Sequence, residues 1–116
     1  MKIVRYSDIQ ATPFEGGAAK GVAGRVVIGK NDGAMNFCMR VFEILPGGHT
    51  PKHSHDWEHE IFVHSGEGEI FYRDAWNSIE AGYAVFMPPK EEHQIRNSGA
   101  DTLVFVCCIP SGAPEL

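Results

Sequence analysis

The stretch PGGHTPKHSHDWEHEIFVHSGEG, residues 46–68, contains five of the six histidines of this chain: His49, His53, His55, His59 and His64. The sixth, His93, stands apart further along the sequence. Neutral imidazole is a common metal ligand, and imidazole also titrates near neutral pH. Such crowding therefore indicates a metal site, a pH-sensitive surface or coincidence. The histidines that face the same point in space decide between these interpretations.

Strand alternation predicts which of these side chains share a face. Successive side chains of a strand point to opposite sides, so His53 and His55 lie on one side. If this face continues into the next strand, His59 joins them, while Glu60 and His64 point outward. A single bulge between His55 and His59 would invert this order, so Glu60 stays an alternative to His59.

The histidine pattern alone leaves the metal site undecided. His49 lies in the turn PGGHTP and is expected to meet solvent. An isolated strand histidine is more often a surface or hydrogen-bonded core residue than a ligand. An H-x-H pair alone makes the two alternatives about equal, and the spacing of the whole region has to decide.

Composition narrows the class of protein. A chain of 116 residues has the size of one domain, and its 43% hydrophobic and 22% charged residues are typical of a globular protein. A net charge of −5 argues against nucleic acid or an anionic membrane as partner. No apolar run is long enough to span a bilayer, and the segment MKIVRYSDIQ has no continuous apolar core with a cleavage site, so we do not expect export. Three cysteines make no disulfide framework, which predicts a reducing cytoplasm.

Short apolar runs separated by glycine and proline turns predict an all-β domain. The runs are rich in Val, Ile, Phe and Tyr, and none has a sustained helical period. Many short, evenly spaced strands indicate a sandwich, jelly roll or barrel. We expect N-terminal strands within residues 1–30, a barrel core over about 35–109 and a loose tail over 110–116. The predicted strands are Lys2–Tyr6, Arg25–Ile28, Met35–Leu45, His59–His64, Glu67–Tyr72, Ser78–Ile79, Tyr83–Met87, His93–Arg96 and Leu103–Ile109.

Two spaced patterns resemble the paired signatures of the cupin superfamily. In the first, Gly47 is followed after five residues by His53-Ser54-His55, after three more by His59 and after six more by Gly66. His59 stands where that signature usually has glutamate. In the second, glycine 82 precedes proline 88, histidine 93 and asparagine 97 by the usual intervals, and lysine 90 stands where glycine is usual.

The chain is most similar to small, single-domain manganese-binding monocupins with four histidine ligands. The segments HSHDWEHEIFV (53–63), NFCMRVF (36–42) and FVCCIP (105–110) carry this resemblance. It implies a double-stranded β-helix jelly-roll barrel, one metal inside the barrel and a homodimer. Carried over residue by residue, it implies these ligands: His53, His55, His59 and His93. Two observations favour His59 over Glu60, namely strand parity and the six-residue interval to Gly66.

A shell of four neutral histidines leaves the metal its full charge and makes it a strong Lewis acid. The resemblance implies manganese, whereas an all-nitrogen shell by itself favours Cu, Ni, Zn or Fe. Four ligands on a six-coordinate ion leave two positions open. The first functional hypothesis is therefore a metal-dependent oxygenase of dioxygenase type acting on a small organic molecule. The alternatives are a non-catalytic module that binds metal and a small ligand, and a metal-assisted isomerase or decarboxylase.

Two residues are candidates for a catalytic role besides the ligands, namely Cys107 and Arg40. The resemblance implies that Cys107 faces the metal cavity and Cys108 the opposite side, although a small buried apolar role suits either cysteine equally. Arg40 lies in an apolar strand, where it either binds a substrate carboxylate or, as we favour, pairs with a glutamate at the barrel mouth. Trp57 is expected to wall the cavity mouth. The phenylalanines expected in the core or in dimer contacts are Phe37, Phe42, Phe62, Phe86 and Phe105.

Overall fold

Antiparallel β-strands make up most of the chain. The computed structural model describes the protein except for the side chains of residues 15 and 16. The strands of this described part are β1 (Thr12–Gly16), β2 (Ala19–Ile28), β3 (Phe37–His49), β4 (His59–Ser65), β5 (Glu67–Tyr72), β6 (Ala75–Glu80), β7 (Ala84–Met87), β8 (His93–Asn97) and β9 (Leu103–Pro110). Single 3₁₀ turns occupy Tyr6–Asp8 and Lys30–Asp32. The predicted all-β class is confirmed.

The strands form one curled sheet in the order β6-β5-β8-β3-β9-β4-β7, with β2 paired to β3 from Met39 to His49 and β1 beside β2. Strand β3 joins the two halves of the barrel because it is long. Its residues 37–44 pair with β9, and its last residue, His49, lies opposite Arg96 of β8. This arrangement is the jelly-roll barrel that the sequence predicts.

Alternation of apolar and polar residues determines which side chains face the inside of the barrel. In β4, Ile61 and Val63 are buried while Glu60, Phe62 and His64 are exposed. The same alternation runs through β9 and β8, and these strands contribute to one continuous core. Each fully buried aliphatic side chain stabilises the fold by about 1.5–3 kcal/mol. The core therefore holds the barrel closed around its interior.

The N-terminal segment lies across the outside of the barrel and is not the strand predicted over Lys2–Tyr6. Residues 1–5 have no regular structure, and Tyr6 and Ile9 pack on a second apolar cluster around Val41. The Arg25 Nε atom donates to the Ile9 carbonyl oxygen at 2.7 Å, which fixes the segment against β2. The prediction was wrong because these apolar residues cover an outer sheet face instead of joining the sheet.

The last residues, predicted to be a loose tail, pack against the barrel. The Ser111 N–H donates to the Asn36 carbonyl at 3.0 Å, and Ala113 contacts the interior core. The Glu115 carboxylate accepts the Lys30 N–H at 2.8 Å. Leu116 reaches the mouth of the interior cavity. These backbone and apolar contacts hold the segment in place.

Candidate metal centre

Four histidines come together inside one end of the barrel. One ring nitrogen from each lies within 4.8 Å of the corresponding nitrogens of the others. These residues are His53, His55, His59 and His93, the same four that the sequence predicts as ligands. His59 and His93 are buried, whereas His53 and His55 are more accessible. The structure thus brings the predicted ligands to one point, and metal binding itself stays a prediction.

Backbone pairing brings the two signature segments together. His53 and His93 form an antiparallel bridge, with N–H to carbonyl distances of 3.1 and 2.9 Å. The Lys90 N–H donates to the His55 carbonyl at 2.7 Å. Lys90 has a φ of 68°, in the left-handed region that favours glycine. This geometry explains why a glycine is usual at this place in the signature that the sequence resembles.

Hydrogen bonds to carbonyl groups set the tautomer of three of the histidines. The Nδ1 atoms of His53, His55 and His93 lie 2.8–2.9 Å from the carbonyl oxygens of residues 51, 57 and 91, respectively. A carbonyl oxygen only accepts, so each Nδ1 carries the hydrogen and donates it. Each Nε2 then keeps its lone pair. Metal-bound histidines in proteins are held in the same way.

The fourth histidine, His59, is oriented by side chains. Its Nδ1 lies 3.0 Å from Cys107 Sγ and 3.3 Å from Arg40 Nη2. Its Nε2 lies 2.7 Å from His55 Nε2. Because His55 Nε2 carries a lone pair, the short contact requires a proton or a metal ion between the two nitrogens. When His59 also presents a lone pair there, its Nδ1 hydrogen is donated to Cys107 Sγ. The donor set therefore fits a divalent cation.

Burial favours the neutral form of three of the histidines, and a metal ligand must be neutral. Burial, together with the positive charge of Arg40, lowers the pKa of His59 to about 3. Burial also lowers the pKa of His93 to about 4 and shifts the pKa of His55 downward. These side chains are therefore uncharged at neutral pH before any metal binds.

The other residues considered as ligands, Glu60, His64 and His49, lie outside the histidine cluster. Glu60 is exposed on the outer face of β4, and a hydrogen bond with Glu58 raises its pKa to about 7. Its carboxylate therefore points away from the four histidines. His64 is also exposed and meets the ring of Tyr6. His49, expected in a solvent-facing turn, ends β3 half-buried, with its Nδ1 near Gln94.

An apolar cavity of about 290 Å³ opens beside the histidine cluster. Its polar end contains Arg40, Cys107 and three of the four histidines. Its apolar walls include Phe14, Val22, Phe42, Ile95, Phe105 and Leu116. Phe42 and Phe105 stack with ring centroids 5.6 Å apart. The cavity can therefore hold a small ligand with a polar end and an apolar body.

The two cysteines of β9 face opposite sides, as expected. Cys107 is buried in the cavity wall, whereas Cys108 lies on the outer side near Glu60. Burial raises the pKa of the Cys107 thiol to about 11, so it is protonated at neutral pH. Trp57, expected at the cavity mouth, stacks flat on His55 at 4.3 Å and packs on the core. Trp57 therefore supports one face of the His55 ring.

Some cavity residues could not be found from the sequence. Phe14 lies on β1, a strand that the prediction missed, and Leu116 belongs to the segment expected to be loose. Arg40 was expected to pair with a glutamate, yet its contact with Glu115 is to the main-chain carbonyl, at 3.3 Å. The sequence carries no signal for the position of Leu116, because this position depends on how the end of the chain folds back on the barrel.

Comparison with known proteins identifies the family. The model of the cupin domain family (Cupin_2) matches residues 40–109. This chain is a cupin. The polyketide cyclase RemF of Streptomyces resistomycificus superposes with a TM-score of 0.90 at 33% identity, over 98% of this chain and 82% of that one. A predicted oxalate decarboxylase from Thermotoga maritima superposes with a TM-score of 0.84 at 26% identity, over 95% and 99% of the two chains.

One curated relative is also similar, the 1-methylthio-D-xylulose 5-phosphate methylsulfurylase of Rhodospirillum rubrum. It is 28% identical over 71 residues, which cover 61% of this chain. The match spans only 46% of that relative, about half its length. Among the described residues, no helix has the length and apolar character needed to cross a membrane.

Proposed function

We propose that this cupin is an enzyme that uses one divalent metal ion to act on a small organic molecule. His53, His55, His59 and His93 would hold the ion. The observation that carries the proposal is the position of this cluster at the polar end of an apolar cavity. A purely structural metal would be enclosed by its ligands and would need no such cavity.

The reaction that we favour is Lewis-acid catalysis on a carbonyl compound, such as enolisation or cyclisation. A bound divalent ion polarises carbonyl oxygens, and four neutral ligands would leave its charge undiminished. The similarity to a polyketide cyclase over nearly the whole chain supports this class. The residues of this chain would orient the metal ligands and shape the cavity. Carbonyl groups orient three histidines, Cys107 orients His59, and phenylalanines line the apolar wall of the cavity.

A metal-dependent dioxygenase is the second candidate. The ligand count supports it, because four protein ligands leave a six-coordinate ion with places for a substrate and a second small molecule. Manganese is the metal we propose, on the resemblance to manganese-binding monocupins. The reducing cytoplasm is the proposed compartment, in agreement with free cysteines at positions 38, 107 and 108.

Turnover with and without oxygen tests the proposal. Metal-loaded protein is mixed with small 1,3-diketones and phenols, and the enolate absorbance and the oxygen concentration are followed together. The proposal expects conversion of a diketone under nitrogen by the wild type and none by His53→Ala. Conversion that stops under nitrogen would favour the dioxygenase. Binding of these molecules without conversion in either atmosphere would contradict an enzyme and favour a binding module.

We also propose that the protein is a homodimer joined through the outer face of β4 and β7. Phe62 and Phe86 point outward from these paired strands and are 51% and 59% exposed. The neighbouring outer cluster around Val41 is covered by the N-terminal segment, whereas the two phenylalanines are exposed. A second copy of the chain would bury this apolar surface.

A further inference from the structure

Arg40 is a buried cation whose hydrogen-bond partners among the described residues are all neutral. It is 7% exposed. Its Nη2 donates to Cys107 Sγ at 3.0 Å, its Nε lies 3.5 Å from the Cys107 carbonyl, and its Nη1 donates to the Glu115 carbonyl at 3.3 Å. Among the described side chains, no carboxylate lies within 4.0 Å of its guanidinium. Buried charges in proteins are ordinarily paired, so this one calls for an anion.

The nearest acidic side chain on the tail is committed elsewhere. The Glu115 carboxylate accepts the backbone N–H of Lys30, and only its main-chain carbonyl meets Arg40. Arginine has five N–H donors. If His59 Nδ1 carries its hydrogen, as a metal ligand must, it cannot also accept one from Arg40. The described contacts then leave one N–H on each terminal nitrogen of Arg40, enough for a bidentate contact with an oxyanion.

Among the described residues that line the cavity beside Arg40, none carries a negative charge. The neighbouring histidines cannot supply one, and a divalent ion bound to them would add positive charge. The remaining wall is apolar, and the Phe42 ring lies 4.9 Å from the Arg40 guanidinium carbon. Phe42 in turn stacks on Phe105, which makes a flat apolar surface next to the cation. A ligand suited to this space has an anionic end and a flat apolar body.

We propose that Arg40 is the anion-recognition residue of this cavity, which takes a small, flat organic anion. Its oxyanion, a carboxylate or an enolate, meets Arg40, and its apolar body lies along Phe42 and Phe105. The assignment deepens the proposed function and rests on it for the catalytic role of the metal. Without metal, Arg40 keeps its charge and one free N–H on Nη1, even when His59 Nδ1 accepts a hydrogen from Nη2, so anion binding and the catalytic role of the metal can be tested apart.

Calorimetry with benzoate and benzamide tests the proposal, because the two probes share a shape and differ in charge. The wild type, both chelated and metal-loaded, is expected to bind benzoate roughly tenfold to a hundredfold more tightly than benzamide. Arg40→Met should bring the two affinities together, and Arg40→Lys should keep part of the preference. Arg96→Met is the matched control, since it removes the same charge at an arginine paired with Glu69 outside the cavity.

The outcomes separate the two proposals. Equal affinity for both probes in folded wild type, or a preference for benzoate that persists in Arg40→Met, would overturn the role of Arg40 whatever the metal content. A preference that is lost in Arg40→Met, in a wild type that takes up no metal when metal is added, would uphold Arg40 and contradict the metal enzyme. Circular dichroism of each variant confirms folding. If Arg40→Met is unfolded, Arg40→Gln is used in its place with the same expected outcome.

Discussion

Two buried neutral histidines should make the metal-free protein sensitive to mild acid. In the unfolded chain, histidine has a pKa near 6.5, whereas burial lowers the pKa to about 3 for His59 and about 4 for His93. Between these values the unfolded state binds more protons than the folded state. The free energy of unfolding therefore falls as pH falls below about 6.5. Both folded-state pKa values lie below 5. The loss of unfolding free energy at pH 5 therefore depends mainly on the pKa in the unfolded state.

The size of the effect follows from that interval. One pKa unit corresponds to about 1.4 kcal/mol, so each histidine contributes a loss of about 2 kcal/mol between pH 7.5 and pH 5. Together they remove about 4 kcal/mol, a large part of a typical domain's stability. Urea unfolding of chelated protein at several pH values measures the loss. His93→Gln isolates one contribution, because other titrating groups are common to the variant and the wild type.

The expected result is a difference between wild type and His93→Gln that changes by about 2 kcal/mol between pH 7.5 and pH 5. The wild type should lose more stability over this interval than the variant. An equal loss in both proteins would refute the argument, because it would mean that His93 is not held neutral by burial. A larger loss in the variant would refute it as well.

Three further predictions concern the backbone and the surface. Lys90→Gly relieves about 1–2 kcal/mol of left-handed strain and adds about 0.5–1 kcal/mol of unfolded-state freedom. Urea unfolding should therefore show stability unchanged or raised by up to about 1.5 kcal/mol, and a clear loss would contradict this. Gly66→Ala should destabilise the protein by more than about 2 kcal/mol, because its Cβ would lie 2.6 Å from a backbone carbonyl oxygen. Gly82→Ala, which has open space around its Cβ, should destabilise the protein less. Equal losses of stability in the two variants would count against the steric cause. Sedimentation of the wild type should show a dimer that Phe62→Ser with Phe86→Ser converts to a monomer, and a wild-type mass near the 12.8 kDa of one chain would refute the proposed dimer.

The fold and the convergence of the histidines could be predicted because they depend on local alternation. In β4, parity and the six-residue interval to Gly66 favour His59 over Glu60 as the inward residue. Parity also predicts His64 outward, and the burial pattern of β4 agrees with these positions. No bulge inverts the order between His55 and His59. The spacing of the second signature adds His93, which the backbone bridge to His53 holds in place.

The surroundings of the site could not be predicted in the same way. Tyr6 and Ile9 are apolar enough for a strand, but they cover an outer face that exists only after the sheet has formed. Arg40 has a sequence context that demands a partner, yet its neighbours come from β9 and from the tail. Leu116 reaches the cavity through a fold-back of the chain. Each of these depends on contacts distant in sequence, which alternation does not encode.

The central claim is that four histidines bind one divalent metal, and elemental analysis tests it most directly. Protein purified without chelators or added metal is expected to contain one divalent ion per chain, with manganese predicted. Alanine substitution of any one of His53, His55, His59 or His93 should lower the metal content sharply. His49→Ala, His64→Ala and Glu60→Ala are matched controls and should retain it. Full metal content in His59→Ala, or loss of metal in Glu60→Ala, would contradict the account.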